Sequence, residues 1–390
     1  MQYCAYEQLD FDHIHSHPST SLGNSFVIRK ALIRKHYLAN TVTNWISKHP
    51  DSILRNHVKP AVDFELDYAD FLDEALTEAY ELRESLDRNN GKPASEKEWW
   101  ILKPGMSDRG QGIRLFNSEA RLQGIFEEWE VDEPDDCDDD EGGTLAIPLL
   151  NENNVQGIVT SQLRHFIAQP YIDPPLLLPS SSGKKFHIRT YVLAVGSLKV
   201  YVFKEMLALF AAKPYQAPWE EADEVCDLTR HLTNTCLQEG GGSIHHNNTE
   251  ENVKRFWELD DSAPGLGPGW KDRVFHQIST VTGEVFKAAA QGMLIHFQTL
   301  PNVFEVFGVD FLVDRAGTAW LLEINAFPDF AQTGERLKRV VIEPLFRAVM
   351  EVAVKQLFGI IIQSESDGEN GERYLLRLVA DLDLGRKNPA

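Results

Sequence analysis

Cysteine is scarce and scattered in this chain of 390 residues: Cys4, Cys137, Cys226 and Cys236 make no CxxC pair and no framework spacing. That excludes a disulfide scaffold, argues against structural zinc, and points to a reducing compartment. Long apolar runs are missing too. No stretch approaches the roughly eighteen apolar residues that a membrane span needs. The opening MQYCAYEQLDFDHIHSH lacks the basic flank and apolar core of a secretory signal. A cytoplasmic protein with no membrane partner is expected. Positive charge is in deficit, with 38 Lys and Arg against 59 Asp and Glu and a net charge of −21. Phosphate backbones are held by Lys and Arg, so this balance disfavours nucleic acid as the main partner. Internal repeats and the regular βαβ rhythm of a doubly wound sheet are likewise absent.

What remains is an ordinary globular composition, 43% hydrophobic and 25% charged, in a length that accommodates two or three domains. Much of the negative charge is local. EEWEVDEPDDCDDDE, residues 127–141, carries eleven carboxylates, and such a block repels itself and is expected to stay solvated. Residues 24–60 place Ile28, Leu32, Ile33, Leu38, Val42 and Trp45 at helical spacing. Arg29, Lys30, Arg34, Lys35 and His36 make that helix basic, either as a solvated face or as a lure for an acidic substrate. A second helix is predicted over 64–88, its stripe running from Phe64 through Phe71, Leu72, Leu76, Ala79 and Leu82 to Leu86. After the polar link at 87–98, strands are predicted in WWILKP, IRLF, LRHFIAQPYI, FHIRTYVLAV, LKVYVFKEMLALFA and the two halves of VFGVDFLVDRAGTAWLLEIN. A closing helix follows at about 335–358. Strands mixed with helices predict an α+β architecture. The expected divisions are an N-terminal module (1–88), a central unit (89–176), a C-terminal unit (177–362) and a tail (363–390).

Three constellations carry chemistry. KPGMSDRGQGI sets Lys103 at the end of a strand before a glycine-bearing loop, with Arg109 and Gly110 at its tip. Glycine lets backbone approach phosphate closely, and lysine adds a compact charge. The motif is neither a Walker A loop nor a dinucleotide fingerprint, and an ordinary glycine hairpin is the plainer alternative. Glu323 and Asn325 lie two apart on one strand and so share a face, while Asp310 lies on the preceding strand of the same hairpin. Two carboxylates and an amide oxygen suit Mg²⁺. Their flanks, FGVDFLV and WLLEINAF, are too apolar for unpaired charge, so these groups need partners. Lys185, His187 and Arg189 alternate along one face of a third strand, with Lys204 beyond them. Such a basic stripe suits phosphate or a carboxylate substrate, or merely faces water.

Taken in order, WWILKPGMSDRGQGI, AQPYIDPPLLL, KKFHIRTYVLAV, VYVFKEMLALFA, DLTRHLTNTCLQ and VFGVDFLVDRAGTAWLLEINAFP resemble the tubulin–tyrosine-ligase family of the ATP-grasp superfamily. The likeness runs from Trp99 to about Gly334 and is finest with a fungal branch. One member of that branch is a processing-body-associated protein linked to mRNA decapping. The resemblance implies an ATP-grasp fold, two α+β subdomains clasping ATP and Mg²⁺, with a small N-terminal module. It assigns the phosphates to Lys103 and Lys185, with Arg109 and Gly110 closing over them. It assigns adenine to Gln169, Pro170, Tyr171 and Ile172, and the ribose to Thr233. Mg²⁺ falls to Asp310, Glu323 and Asn325, and the acceptor carboxylate and reacting phosphate to Arg189 and Lys204.

The implied reaction joins an amino acid to a protein or peptide acceptor through an acyl phosphate. An acidic tail suits such an acceptor, although tubulin does not follow from the family alone. Two positions depart from the family pattern. His187 stands where aspartate is usual in the nucleotide-facing phrase, and Lys204 where arginine is usual. The first exchanges a fixed negative charge for a group that is neutral or positive, and the second loses a bidentate fork. Both changes bear on the transfer step more than on ATP binding. An ATP-binding scaffold among mRNA-decapping factors in processing bodies is therefore the alternative, and a small-molecule ATP-grasp reaction a third.

Overall fold

A computed structural model of the chain describes residues 1–105, 112–131, 165–221, 226–233, 252–330, 333–359, 375–382 and 384. Its strands, numbered in chain order, are β1 (Val62–Glu65), β2 (Trp100–Pro104), β3 (Arg114–Phe116), β4 (His165–Pro170), β5 (Lys184–Val195), β6 (Lys199–Phe203), β7 (Leu207–Pro214), β8 (Val253–Arg255), β9 (Phe304–Val313), β10 (Ala319–Ala326) and β11 (Leu376–Asp381). They form two antiparallel sheets. The smaller runs β1-β4-β2-β3. The larger runs β10-β9-β5-β6-β11, with β7 on the free half of β5 and β8 beyond it. The chain crosses from the small sheet to the large one between Pro170 and Lys184.

Each sheet buries an apolar face on helices. In the small sheet, Phe64, Leu102, Phe116 and Phe166 meet Leu76, Leu82 and Leu86 from two short helices and Phe126 and Trp129 from a third. This core joins elements on both sides of position 88. In the large sheet, side chains alternate across β5 as a strand requires. Phe186, Ile188, Val192 and Ala194 lie with Val274, Ile278, Val281 and Val285 of the helix Trp270–Gly292. Tyr191 and Leu193, on the other face, lie under Val341, Leu345 and Val349 of a helical run over 334–358. That second face continues back through Arg189, His187 and Lys185, beyond the helical run and toward the small sheet.

Several expectations change in detail. Residues 64–88 are not one helix: Phe64 sits in β1 opposite Phe166, and the helices Leu72–Glu78 and Tyr80–Arg88 follow, parted at Ala79. Strand pairing overrides the helical spacing because Phe64 is buried against β4. LKVYVFKEMLALFA divides into β6 and β7. The helix Trp270–Gly292 has a clear apolar stripe that the sequence reading passes over. The acidic stretch begins inside the helix Glu119–Val131, where Trp129 is fully buried. Residues 132–141, and Arg109 and Gly110 of the glycine loop, lie outside the described residues. Within the expected tail, β11 pairs with β6 at the edge of the large sheet.

Candidate functional site

Three neighbouring strands set the charged groups in a row. Pairing places Arg189 opposite Asp310, and Asp310 opposite Glu323. A bulge between Leu321 and Glu323 makes the second match. Leu321 and Ile324 are buried in the core, whereas Leu322, Glu323 and Asn325 also line the smaller cavity, which Leu321 and Ile324 do not reach. A bulge supplies the extra residue that lets two successive side chains face one way. Without it, strict alternation would bury Glu323.

The polar contacts converge. Arg189 grips Asp310 with Nε on Oδ1 and Nη2 on Oδ2, the latter at 2.9 Å. Asn325 Nδ2 donates to Glu323 Oε1 at 3.0 Å and to Asp310 Oδ2 at 3.3 Å. Gly308 permits this closeness, since a Cβ there would stand 3.2 Å from Arg189 Cδ. His187 Nδ1 bonds Thr233 Oγ1, and its buried Nε2 faces Asp310 Oδ1 at 3.7 Å, too far for a hydrogen bond. Burial alone would raise the Asp310 carboxyl, yet the Arg189 guanidinium outweighs it and holds the group below its ordinary range. Withdrawal from water lowers His187, leaving a neutral imidazole at pH 7.

Two lysines without a carboxylate in ion-pair contact among the described residues complete the site, Lys185 farther along β5 in the same sheet as this row and Lys103 on β2 of the other sheet. Lys103 Nζ donates to Gln169 Oε1 at 3.0 Å. Lys185 Nζ donates to Tyr171 Oη at 2.8 Å and lies 4.1 Å from the Tyr171 ring centre. Withdrawal from water lowers Lys103 to about 8 against the pull of Glu323. The same cause lowers Lys185 to about 7 despite Asp173. Side chains in this condition suit an anion that would restore their charge.

Two adjoining cavities occupy the space between the sheets. One, of about 130 Å³, is lined by Gln169, Pro170, Tyr171, Ile172, Lys185, His187, Thr233 and Asp310. The other, of about 360 Å³, lies under the helix Lys35–Lys48. Lys35, Lys103, Gln169, Leu322, Glu323 and Asn325 line both. Lys204 lines neither. It is exposed at the end of β6, its ammonium 5.6 Å from the Trp257 ring centre. The basic first segment divides its roles: Arg34 and Lys35 reach the larger cavity, but Arg29 is buried against Glu305 at 2.8 Å. Sequence reading misses His231, which lines the smaller cavity and accepts from or donates to Tyr171 Oη at 2.9 Å. Its signal lay in the quoted phrase HLTN. It also misses Arg55 and Lys59 on the larger cavity.

The donor set fits a hard divalent cation. Two carboxyl groups close enough to hydrogen-bond each other, with an amide beside them, offer oxygen ligands on one side. The two lysines offer anion contacts beside them, one from each sheet. Asn325 now turns its nitrogen to the carboxylates, and a cation would call for its oxygen instead.

The model of the tubulin-tyrosine ligase family matches residues 21–358. A protein of Schizosaccharomyces pombe named Probable tubulin–tyrosine ligase is 47% identical over 359 residues, 92% of this chain and 83% of that protein. Probable tubulin–tyrosine ligase PBY1 of Saccharomyces cerevisiae is 42% identical over 363 residues, 91% of this chain. The matched part is 46% of that relative's length. Among solved structures, the C-terminal domain of Pby1 from K. lactis superposes with a TM-score of 0.66 at 36% identity, covering 97% of this chain and 86% of that one. It is described as an ATP-grasp enzyme interacting with the mRNA decapping enzyme Dcp2.

Proposed function

The chain belongs to the tubulin-tyrosine ligase family and has the ATP-grasp fold, and from that premise we propose that it is an ATP-dependent carboxylate–amine ligase acting on a protein or peptide. The observation that carries this reading is the convergence of Asp310, Glu323 and Asn325 with Lys185 of their own sheet and Lys103 of the other, in a cleft between two sheets. Lys103 and Lys185 hold the phosphates of ATP. The crossing segment Gln169 to Ile172 borders the adenine, and Thr233 the ribose. Mg²⁺, held by Asp310, Glu323 and Asn325, would offset charge on the phosphate oxygens. Arg189 keeps Asp310 ionised and oriented. The larger cavity takes the acceptor, since Arg34, Lys35, Arg55 and Lys59 on its lining favour an acidic segment.

An acceptor carboxylate attacks the γ-phosphorus, the bond to the β-phosphate oxygen breaks, and ADP leaves. An incoming amine then attacks the acyl carbon, phosphate departs, and an amide remains. The test is to scan acidic proteins and peptides with labelled amino acids. We expect ADP release with a fixed mass gain on one acceptor, abolished in Glu323→Gln with the fold intact. ATP turnover that never yields an adduct would reject the ligase reading.

A second reading has its own support. His187 takes the usual place of an aspartate, Lys204 stands outside the cleft, and the K. lactis relative is described as a decapping-enzyme partner. These favour an ATP-binding scaffold in a cytoplasmic decapping complex. Under that reading the chain binds the decapping enzyme and forms no adduct. The double substitution His187→Asp with Lys204→Arg should then bring about ligation. A double variant as inactive as the parent would remove those two residues as the cause.

A further inference from the structure

Behind the nucleotide cavity, away from the carboxylates of β9 and β10, a second cluster assembles from residues far from one another in type. Glu221, Cys226 and His231 each offer one donor atom, and these atoms lie within 4.8 Å of one another. Cysteine spacing argues against structural zinc, yet the fold brings one cysteine to a histidine and a glutamate that no Cys-based motif would reveal. We propose that Glu221, Cys226 and His231 form a binding site for a borderline-soft divalent cation of the Zn²⁺ type, with the fourth position left to water.

The chemistry of each donor fits. A thiolate, an imidazole and a carboxylate are a zinc-like set, unlike the all-oxygen set beside β10. At ordinary Zn²⁺ bond lengths, tetrahedral donors stand roughly 3.3–3.6 Å apart. His231 Nε2 and Glu221 Oε1 are already 2.9 Å apart, so only small shifts are needed. Each donor is also oriented from behind. Tyr171 Oη meets the other ring nitrogen, His231 Nδ1, at 2.9 Å, the support that metal-bound histidines commonly have. The Asp227 backbone N–H donates to Glu221 Oε2 at 2.8 Å. Arg121 Nη2 donates to Cys226 Sγ at 3.3 Å and favours the thiolate. Burial keeps the Cys226 thiol protonated despite Arg121, and withdrawal from water keeps His231 neutral, down to about 4. Binding therefore replaces one thiol proton, which leaves to solvent, and moves the imidazole proton to Nδ1, where Tyr171 accepts it. The alternative is a self-satisfied cluster in which Cys226 only packs beside Trp99 and Leu115.

This site does not depend on the ligase reading, and its test needs no turnover. The full chain, stripped of metal, is titrated with Co²⁺ and then with Zn²⁺ against a chromophoric chelator. We expect a thiolate-to-cobalt charge-transfer band that Zn²⁺ abolishes. Cys226→Ser should remove the band and weaken Zn²⁺ at least about 100-fold, and Glu221→Gln about 10-fold or more. X-ray absorption of the Zn²⁺-loaded wild type, which needs no variant to fold, should show one sulfur with nitrogen and oxygen. Absence of the band, a sulfur-free shell, or undiminished Zn²⁺ affinity in well-folded Cys226→Ser would overturn the proposal.

Discussion

Lys103 and Lys185 carry the sharpest consequence at the scale of single residues. Their lowered values, about 8 and about 7, belong to the nucleotide-free cleft, and phosphate binds only the protonated ammonium. Affinity for Mg-ATP should therefore be full below about pH 6 and fall from there toward about pH 9, as Lys185 and then Lys103 lose their protons. At pH 8 binding should take up roughly 1.4 protons, about 0.9 at Lys185 and 0.5 at Lys103. Calorimetry in buffers of different ionisation enthalpy measures that number. In Lys185→Met the uptake should drop to about 0.5, and a wild-type value near zero would mean that neither lysine meets phosphate. Sequence made these two lysines and the trio Asp310, Glu323 and Asn325 legible because each sits in a phrase with strong apolar flanks. The pairing of Arg189 with Asp310 was not legible. It joins residues 121 positions apart, and only the register of β5 on β9 decides that the guanidinium meets a carboxylate of its own chain. That Lys204 lines neither cavity was not legible for a related reason, since its motif names a residue type and not the side of the sheet on which β6 ends.

Among the elements, most strands could be read from alternation, and the hairpin of β9 and β10 most plainly. The bulge could not, because Leu321, Leu322 and Ile324 are equally apolar and nothing in their types says which one is extra. The C-terminal strand was hidden as well, being short and set behind a polar stretch. Its position on the helix Trp270–Gly292 makes a prediction about Gly283. In an exposed helix, alanine is better than glycine by about 1 kcal/mol. Here an added Cβ would lie 2.6 Å from the Val379 carbonyl oxygen of β11, and overpacking of that kind costs about 1–3 kcal/mol. The clash should win. Gly283→Ala is expected to lower the melting temperature by about 2–6 °C in the full chain. In a chain ending at Gly359, which lacks β11, the same substitution should leave stability unchanged or raise it. Equal effects in both backgrounds would show that β11 does not lie against this helix in solution.

For the whole molecule, the decisive feature is that the two sheets have separate cores. Phe64, Leu82, Trp129 and Phe166 stabilise the small one, and Ile188, Ile278 and Phe311 belong to the large one. Between them lies a cleft whose walls come from both, Lys103 and Gln169 on one side and Lys185, Asp310 and Glu323 on the other. A ligand bridging that cleft links two units with separate cores, and it stabilises both by mass action. Saturating Mg-ATP should therefore slow amide exchange at least about tenfold in β2 and β4 and in β5, β9 and β10 together. Glu323→Gln, with the cation grip weakened, should lose most of that protection in both sheets at once. A ligand that touched one sheet alone would protect only that sheet, and such a pattern would mean that the cleft is not closed by nucleotide. The joint response is what distinguishes a clasp from a pocket. It follows from where the ligand's partners sit, Lys103 on one wall and Lys185 with the carboxylates on the other, rather than from any one contact.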